Sequence, residues 1–271
     1  MIRKSVKSKI ILPTILVLVV LLLIIMAAFT YNFDRYTNIL FDERIEVTAQ
    51  SLKQYLADCK HKSKMAAIIT SQNSNVIKAI GDRDENKINE LLTGTFDEYA
   101  VDYYVVTDET GTVLARTYTD EIGDSILFQG NIREALNGKV YTYMKEGAYI
   151  KVSVHTSSPV YDSAGTLIGV LSAGIRFDTN EALDRLKEQF NAEFSVMLGD
   201  TRVATTVEVD GARFVGTKVR PDIVRIVLEG GEEYFGKSEI LGEGYSACYM
   251  PLKTTTAKFL PYFSWGSRTL I

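Results

Sequence analysis

The stretch Ile10 to Tyr31, IILPTILVLVVLLLIIMAAFTY, contains no charged residue. Backbone polar groups must be satisfied internally in a bilayer, so an apolar run that crosses one does so as a helix, and about 20 residues suffice for the ~30 Å hydrocarbon core. Residues 10–31 are therefore expected to form a transmembrane helix. Arg3, Lys4, Lys7 and Lys9 precede it and no cation follows before Arg35. Cations are retained on the cytoplasmic side, so residues 1–9 are expected in the cytoplasm and everything after Tyr31 outside. A cleaved signal peptide is the alternative, but the apolar core is longer than a signal core and Ala27-Ala28-Phe29 is a poor cleavage site. Pro13 falls in the first turn, where a missing N–H costs least.

The remainder must fold in water. An apolar fraction of 46% supplies a core, and a formal charge of −4 spread along the chain leaves no basic face for nucleic acid. Two cysteines, Cys59 and Cys248, are too few for a disulfide framework and read as unpaired, semi-buried thiols. From Asp34 to about Gln72 there is neither glycine nor proline. Apolar or small residues recur there at Phe41, Ile45, Ala49, Leu52, Leu56, Cys59, Ser63, Ala66 and Thr70, in steps of four and three. That spacing predicts a long helix over 32–75, reaching on the order of 55 Å. Its near-heptad seam is read as a homodimer contact, as packing on its own domain, or as each in different parts. Asp82, Asp84 and Asn86 alternate like a calcium loop, but Lys87 stands where the loop needs glycine and Thr93 where it needs the closing acid. Asp84 is instead expected to cap a short helix through Leu92.

Strands follow. Tyr103 to Asp108 and Thr112 to Tyr118 flank a turn at Glu109-Thr110-Gly111. A looped connection holds a short helix, Asn131 to Asn137, ended by Gly138, and Val140 to Lys145 and Tyr149 to Val154 read as further strands. Val154 to Phe177 is a hairpin about Asp162-Ser163-Ala164-Gly165, with a nearly continuous apolar second arm expected inside a sheet. Pro159 in the first arm calls for an edge, a bulge or a strand end. The same grammar recurs: Val196 to Thr206 repeats Val105 to Thr117, Gly231 to Tyr234 repeats Gly138 to Tyr141, and Tyr249 to Lys253 repeats Ser158 to Tyr161. An amphipathic helix, Asn180 to Phe190, joins the two modules. The expected fold class is α+β: an N-terminal transmembrane helix, a long helix, then two tandem modules with antiparallel sheets, at 76–178 and 179–271.

On these residues the chain resembles the double Cache sensor regions of bacterial methyl-accepting chemotaxis proteins, of the Cache 3/Cache 2 fusion type. The resemblance is carried by the basic cap and span, the long helix, Val105 to Thr117, Pro159 to Gly174 and Leu198 to Thr206, and extends to Lys253. It implies a PAS-like fold in each module, a pocket for a small-molecule ligand, an organic acid or amino acid, in the membrane-distal one, and a dimer signalling through the membrane. No cofactor is expected. At the end the chain departs from the family. Thr254 to Lys258 lacks the turn glycine, Pro261 and Ser264 are expected to interrupt the final strand and weaken the proximal module, and no second span or kinase-contacting region follows before Ile271. The expectation is a sensor truncated before its second membrane helix. The sensor of a histidine kinase or cyclase, or a membrane-anchored binding protein that does not signal, are the alternatives.

A pocket for small anionic or zwitterionic metabolites needs a guanidinium, hydroxyls and aromatic walls. Arg116, Tyr118, Tyr143, Ser153 and His155 are the candidate ligand-binding residues, with Arg116 and Tyr118 on one face of their strand and Ser153 and His155 on one face of theirs. Arg116 as a salt-bridged strand residue is the competing reading; Tyr103 and Tyr104 read as core and rim. Catalysis is not expected. The two histidines, His61 and His155, lie on different elements with no acid or cysteine at metal-ligand spacing, and Gly244 to Cys248 fails the nucleophile-elbow pattern.

Overall fold

The structure is a computed structural model that describes residues 6–145, 147, 149–240, 243–252 and 261–268. Arg3, Lys4 and the Thr254 to Lys258 turn lie outside the described residues. The chain forms two compact units, residues 1–47 and 48–271. Helix α1, Val6–Ser71, is unbroken, with Pro13 inside it. Within the first unit, Pro13–Phe33 has a mean hydropathy of 2.8 and is long and apolar enough to cross a membrane.

In the second unit α1 is a packing helix. Ala49, Leu52, Leu56, Cys59, Ser63, Ala66 and Thr70 are all buried there; Phe41's side chain lies outside the described residues. Ser63 Oγ donates to Thr156 Oγ1 (3.0 Å) and to the Ala173 carbonyl (2.9 Å), and the hydroxyls of Ser71 and Ser158 are 3.0 Å apart. The seam read from the sequence therefore packs against the chain's own sheet. Its opposite face, with Met65 and Ile69 about two-fifths exposed, is the one left to solvent. Cys59 and Cys248 are free and buried, as read from the sequence.

Three short helices follow: α2 (Ser74–Gly81), α3 (Glu85–Thr93) and α4 (Phe96–Tyr99). Asp84 caps α3 by accepting the Lys87 N–H at 3.0 Å. The first sheet is built from β1 (Tyr103–Asp108), β2 (Val113–Arg116), β3 (Tyr141–Lys145), β4 (Ser153–Tyr161) and β5 (Leu167–Arg176), antiparallel in the order β2-β1-β5-β4-β3. Helix α5, Gly130–Leu136, lies in the connection from β2 to β3. The β4–β5 turn uses Gly165 at φ +82°, while Asp162 Oδ1 accepts the Ala164 and Thr166 N–H groups. Pro159 lies beyond the last β3 pair, Tyr141↔Ser157, where β4 has become an edge, and a bulge follows at Val160/Tyr161. That position needs no ladder donor. Two strand expectations are cut back: β4 begins at Ser153, with Tyr149 to Val152 as bent chain before it, and β2 ends at Arg116, with Thr117 and Tyr118 in a turn.

Helix α6, Asn180–Phe190, leads into the second module. Its strands are β6 (Glu193–Leu198), β7 (Thr201–Thr205), the small hairpin β8 (Glu208–Val209) and β9 (Ala212–Arg213), then β10 (Tyr234–Ile240), β11 (Glu243–Pro251) and β12 (Pro261–Arg268), with helix α7 (Pro221–Val224) after β9. The five-stranded sheet runs β10-β11-β12-β6-β7, the same path as the first sheet with its strands in corresponding places. The repeat seen in the sequence is thus a repeat of topology. The expected interruption of the final strand is overturned. Strand β12 is continuous and pairs on both sides, with β11 through Tyr262↔Pro251 to Arg268↔Tyr245 and with β6 through Pro261↔Leu198 to Gly266↔Glu193. Pro261 is its first residue, a position where proline is tolerated, and Ser264 is simply buried inside it.

Candidate ligand-binding site

In an antiparallel sheet, residues directly opposite one another share a face. Tyr103 pairs with Gly174, Gly174 with His155, and His155 with Tyr143, which makes one row across β1, β5, β4 and β3. The neighbouring row holds Arg116, Val105, Ser172, Ser157 and Tyr141. Ser153 lies two residues before His155; Tyr118 follows the end of β2 in a turn and joins the same face through its ring, which packs on Tyr103. All five residues selected from the sequence therefore belong to one face of the first sheet, the face away from α1.

Glycine at position 174 explains how that row closes. A Cβ there would sit 2.1 Å from Tyr103 Cζ, so the Tyr103 ring lies over Gly174 and reaches the strand beyond. Its hydroxyl is 2.8 Å from His155 Nδ1 and 2.9 Å from Ser153 Oγ. Tyr118 meets the Tyr103 ring edge-on at 5.5 Å, and Tyr143 meets His155 edge-on at 4.5 Å. A second chain of bonds continues the face. The Tyr143 hydroxyl donates to Asn131 Oδ1 (2.7 Å), Asn131 Nδ2 donates to Ser157 Oγ (2.7 Å), and the Ser157 and Ser172 hydroxyls are 2.6 Å apart. Burial raises the Tyr103 and Tyr143 hydroxyls well above the usual phenol range, so both are neutral donors at physiological pH. Ile126, Ile132, Ala135 and Ile150, from the connection between β2 and β4, pack beside these groups with Val105, Val113 and Val170.

Arg116 stands at the rim of this face, and its side chain is only 9% exposed. Nη1 and Nη2 bind Asp124 Oδ1 and Oδ2 at 2.7 and 2.8 Å, and Nη1 also donates to the Glu121 carbonyl at 2.6 Å. The guanidinium holds the Asp124 carboxyl below its usual range, and the paired carboxylate raises Arg116 in return. Arg116 is thus a salt-bridged strand residue, the competing reading of the sequence, on the face that carries the other four candidates. Sequence reasoning missed Asn131, Ser157, Ser172 and Asp124, and read Tyr103 as core. Tyr103 is indeed buried at 4%, yet it joins the two strands of the polar row. The only available sign was a tyrosine and a glycine in strands that pair.

A cleft of about 370 Å³ lies at the β4 edge of the sheet, beside the end of α1 and α2, lined by Ile68, Ile77, Ser158, Pro159 and their neighbours. It holds none of the five candidates.

A helix leading into two tandem antiparallel sheets that share one strand path defines an α+β protein built from two like modules. Two family models described as single Cache domain 3 match the chain, one over residues 53–191 and the other over 176–269. The chain belongs to the single Cache domain 3 family and is a Cache sensor domain of the kind bacterial receptors carry. The second match runs through β12, past Lys253 where the resemblance read from the sequence ended. Among curated proteins, the sensor histidine kinase CitA of Klebsiella pneumoniae is 26% identical over 120 residues, which are 44% of this chain and 22% of that protein. The chain thus spans about a fifth of the length of that curated relative. The periplasmic domain of Vibrio cholerae LuxQ superposes with a TM-score of 0.50 at 14% identity, over 83% of this chain and all of that one. The E. coli DcuS sensor domain matches at 20% identity over 50% of this chain and 96% of its own, with a TM-score of 0.42.

Proposed function

We propose that the protein is the extracytoplasmic sensor region of a transmembrane receptor of the chemotaxis type, a tandem Cache sensor that binds a small organic acid or amino acid in its first module and does no chemistry on it. The observation that carries this reading is the convergence of Arg116, Tyr118, Tyr143, Ser153 and His155 on one sheet face. A guanidinium at the rim, neutral hydroxyl donors and aromatic walls form the donor set a carboxylate requires. Residues 1–9 lie in the cytoplasm in this reading, because the Lys/Arg residues precede the span. A homodimer formed along α1 would use its outer face with Met65 and Ile69, since the seam from Ala49 to Thr70 is covered within the chain. The similarity to a sensor histidine kinase supports a second reading, in which the same sensor drives a kinase.

A thermal-shift screen of the detergent-solubilised chain against amino acids and organic acids tests ligand binding. A true ligand at one hundred times its Kd adds about 2.7 kcal/mol, or roughly 5–11 °C for a domain of this size. Arg116→Ala is expected to abolish a shift caused by an anion. An unchanged shift removes Arg116 from the site, and turnover of a stabilising compound makes the protein an enzyme instead.

A further inference from the structure

We infer that Asp124 is a specificity-determining residue of this site: its carboxylate holds Arg116 as an internal stand-in for, and competitor of, a ligand's own carboxylate. The inference rests on the proposed function, because it takes Arg116 to be the anion anchor. The Arg116 side chain is only 9% exposed, and a charge so far withdrawn from water is favoured when it is paired. Asp124 supplies it in the two-point geometry that an incoming carboxylate would use.

The exchange requires little motion. The backbone at Asp124 is fixed to β2, with the Val113 N–H donating to the Asp124 carbonyl (3.0 Å) and the Gly123 N–H to the Val113 carbonyl (2.9 Å). Only the side chain has to turn. The Asp124 side chain is already 54% exposed, so its displaced carboxylate ends in water, not in a second buried place. The Glu121 carbonyl stays on Nη1 and keeps the guanidinium aimed.

Selectivity follows from competition. A carboxylate tethered on the same chain acts at an effective concentration on the order of millimolar. A ligand wins only if it brings a carboxylate able to engage both Nη atoms and further groups for the Tyr103, Ser153 and His155 cluster. Neutral compounds and simple monocarboxylates lack one or both.

The test is calorimetric titration of the full chain in detergent with succinate, tricarballylate, L-malate and acetate. Asp124→Asn keeps the shape and removes the charge; if Arg116 is occupied by Asp124 nine times in ten or more, this variant binds the polycarboxylates at least about tenfold more tightly than the native chain. Asp124→Ser is a second variant and should behave the same way, and acetate, weak as it is, should gain by the same factor. Unchanged or weaker binding in both variants overturns the inference and leaves the pair a structural ion pair. Arg116→Ala read alongside separates the two ideas. If it abolishes binding while Asp124→Asn changes nothing, the site stands and the stand-in fails; if it leaves binding intact, or if no carboxylate binds any of the proteins, both fail.

Discussion

Gly174→Ala is expected to dismantle the polar row of the first module. The added Cβ would lie 2.1 Å from Tyr103 Cζ and 2.5 Å from its hydroxyl oxygen, well inside contact distance. The ring has no easy retreat: it is 4% exposed and held between Tyr118 and His155. Overpacking of a core typically costs about 1–3 kcal/mol, and each buried hydroxyl partner left unsatisfied adds roughly 1–3 more. A loss of about 3 kcal/mol, or roughly 6–12 °C in Tm, is the expected result, together with loss of any ligand-induced shift. The mechanism is checked by a double-mutant cycle with Tyr103→Ala. In that background the ring is gone, so Gly174→Ala should become nearly neutral, and the coupling should account for most of its cost. Additive costs for the two changes would mean that Gly174 matters for another reason, and the explanation of the row would fail.

The same residue shows how far local pattern reaches. The β4–β5 hairpin was legible because its turn is written in four consecutive residues and its second arm in an apolar run. The second module was legible because it repeats the first, and the two sheets do share one strand path. Arg116, Ser153 and His155 could be put on faces because side-chain direction alternates strictly along a strand, whereas Tyr118 lies in the turn after β2 and reaches the face through its ring. What local pattern does not contain is register between strands distant in sequence. Tyr103 reaches His155 because β1 pairs with β5 so that glycine stands opposite it, a fact set by the whole sheet. Asp124 lies eight residues beyond Arg116 in a loop without periodicity, so no spacing rule points to the pair. The long-helix stripe posed a different difficulty. An apolar seam specifies that it is covered and leaves the covering surface open; here Ser63 and Thr70, which look weak in a dimer seam, are bonded to Thr156 and lie close to the Tyr104 hydroxyl.

Trp265→Ala is expected to have the largest effect in the second module, and it tests the point on which sequence and structure disagree most. If Pro261 and Ser264 interrupted the last strand, Trp265 would sit on a loose, partly solvated end and its removal would cost little. In the structure it lies within a strand paired on both sides, is 2% exposed and stacks on Phe194 at 6.3 Å, while its neighbour Phe263 meets Phe177, just after the last strand of the first module, at 5.5 Å. Truncating a buried tryptophan costs about 3–5 kcal/mol, or roughly 6–20 °C for a domain of this size. Because Trp265 is the sole tryptophan of the chain, its fluorescence reads β12 directly. The native protein should emit as a buried indole and shift to a solvated spectrum in a single step with the loss of sheet signal by circular dichroism. An indole already solvated in the native chain, or a Trp265→Ala protein that melts unchanged, would return the final strand to the interrupted state that its proline suggests. Since Phe177 and Phe263 join the two modules edge-on, the same variant should also lower the cooperativity with which both sheets unfold.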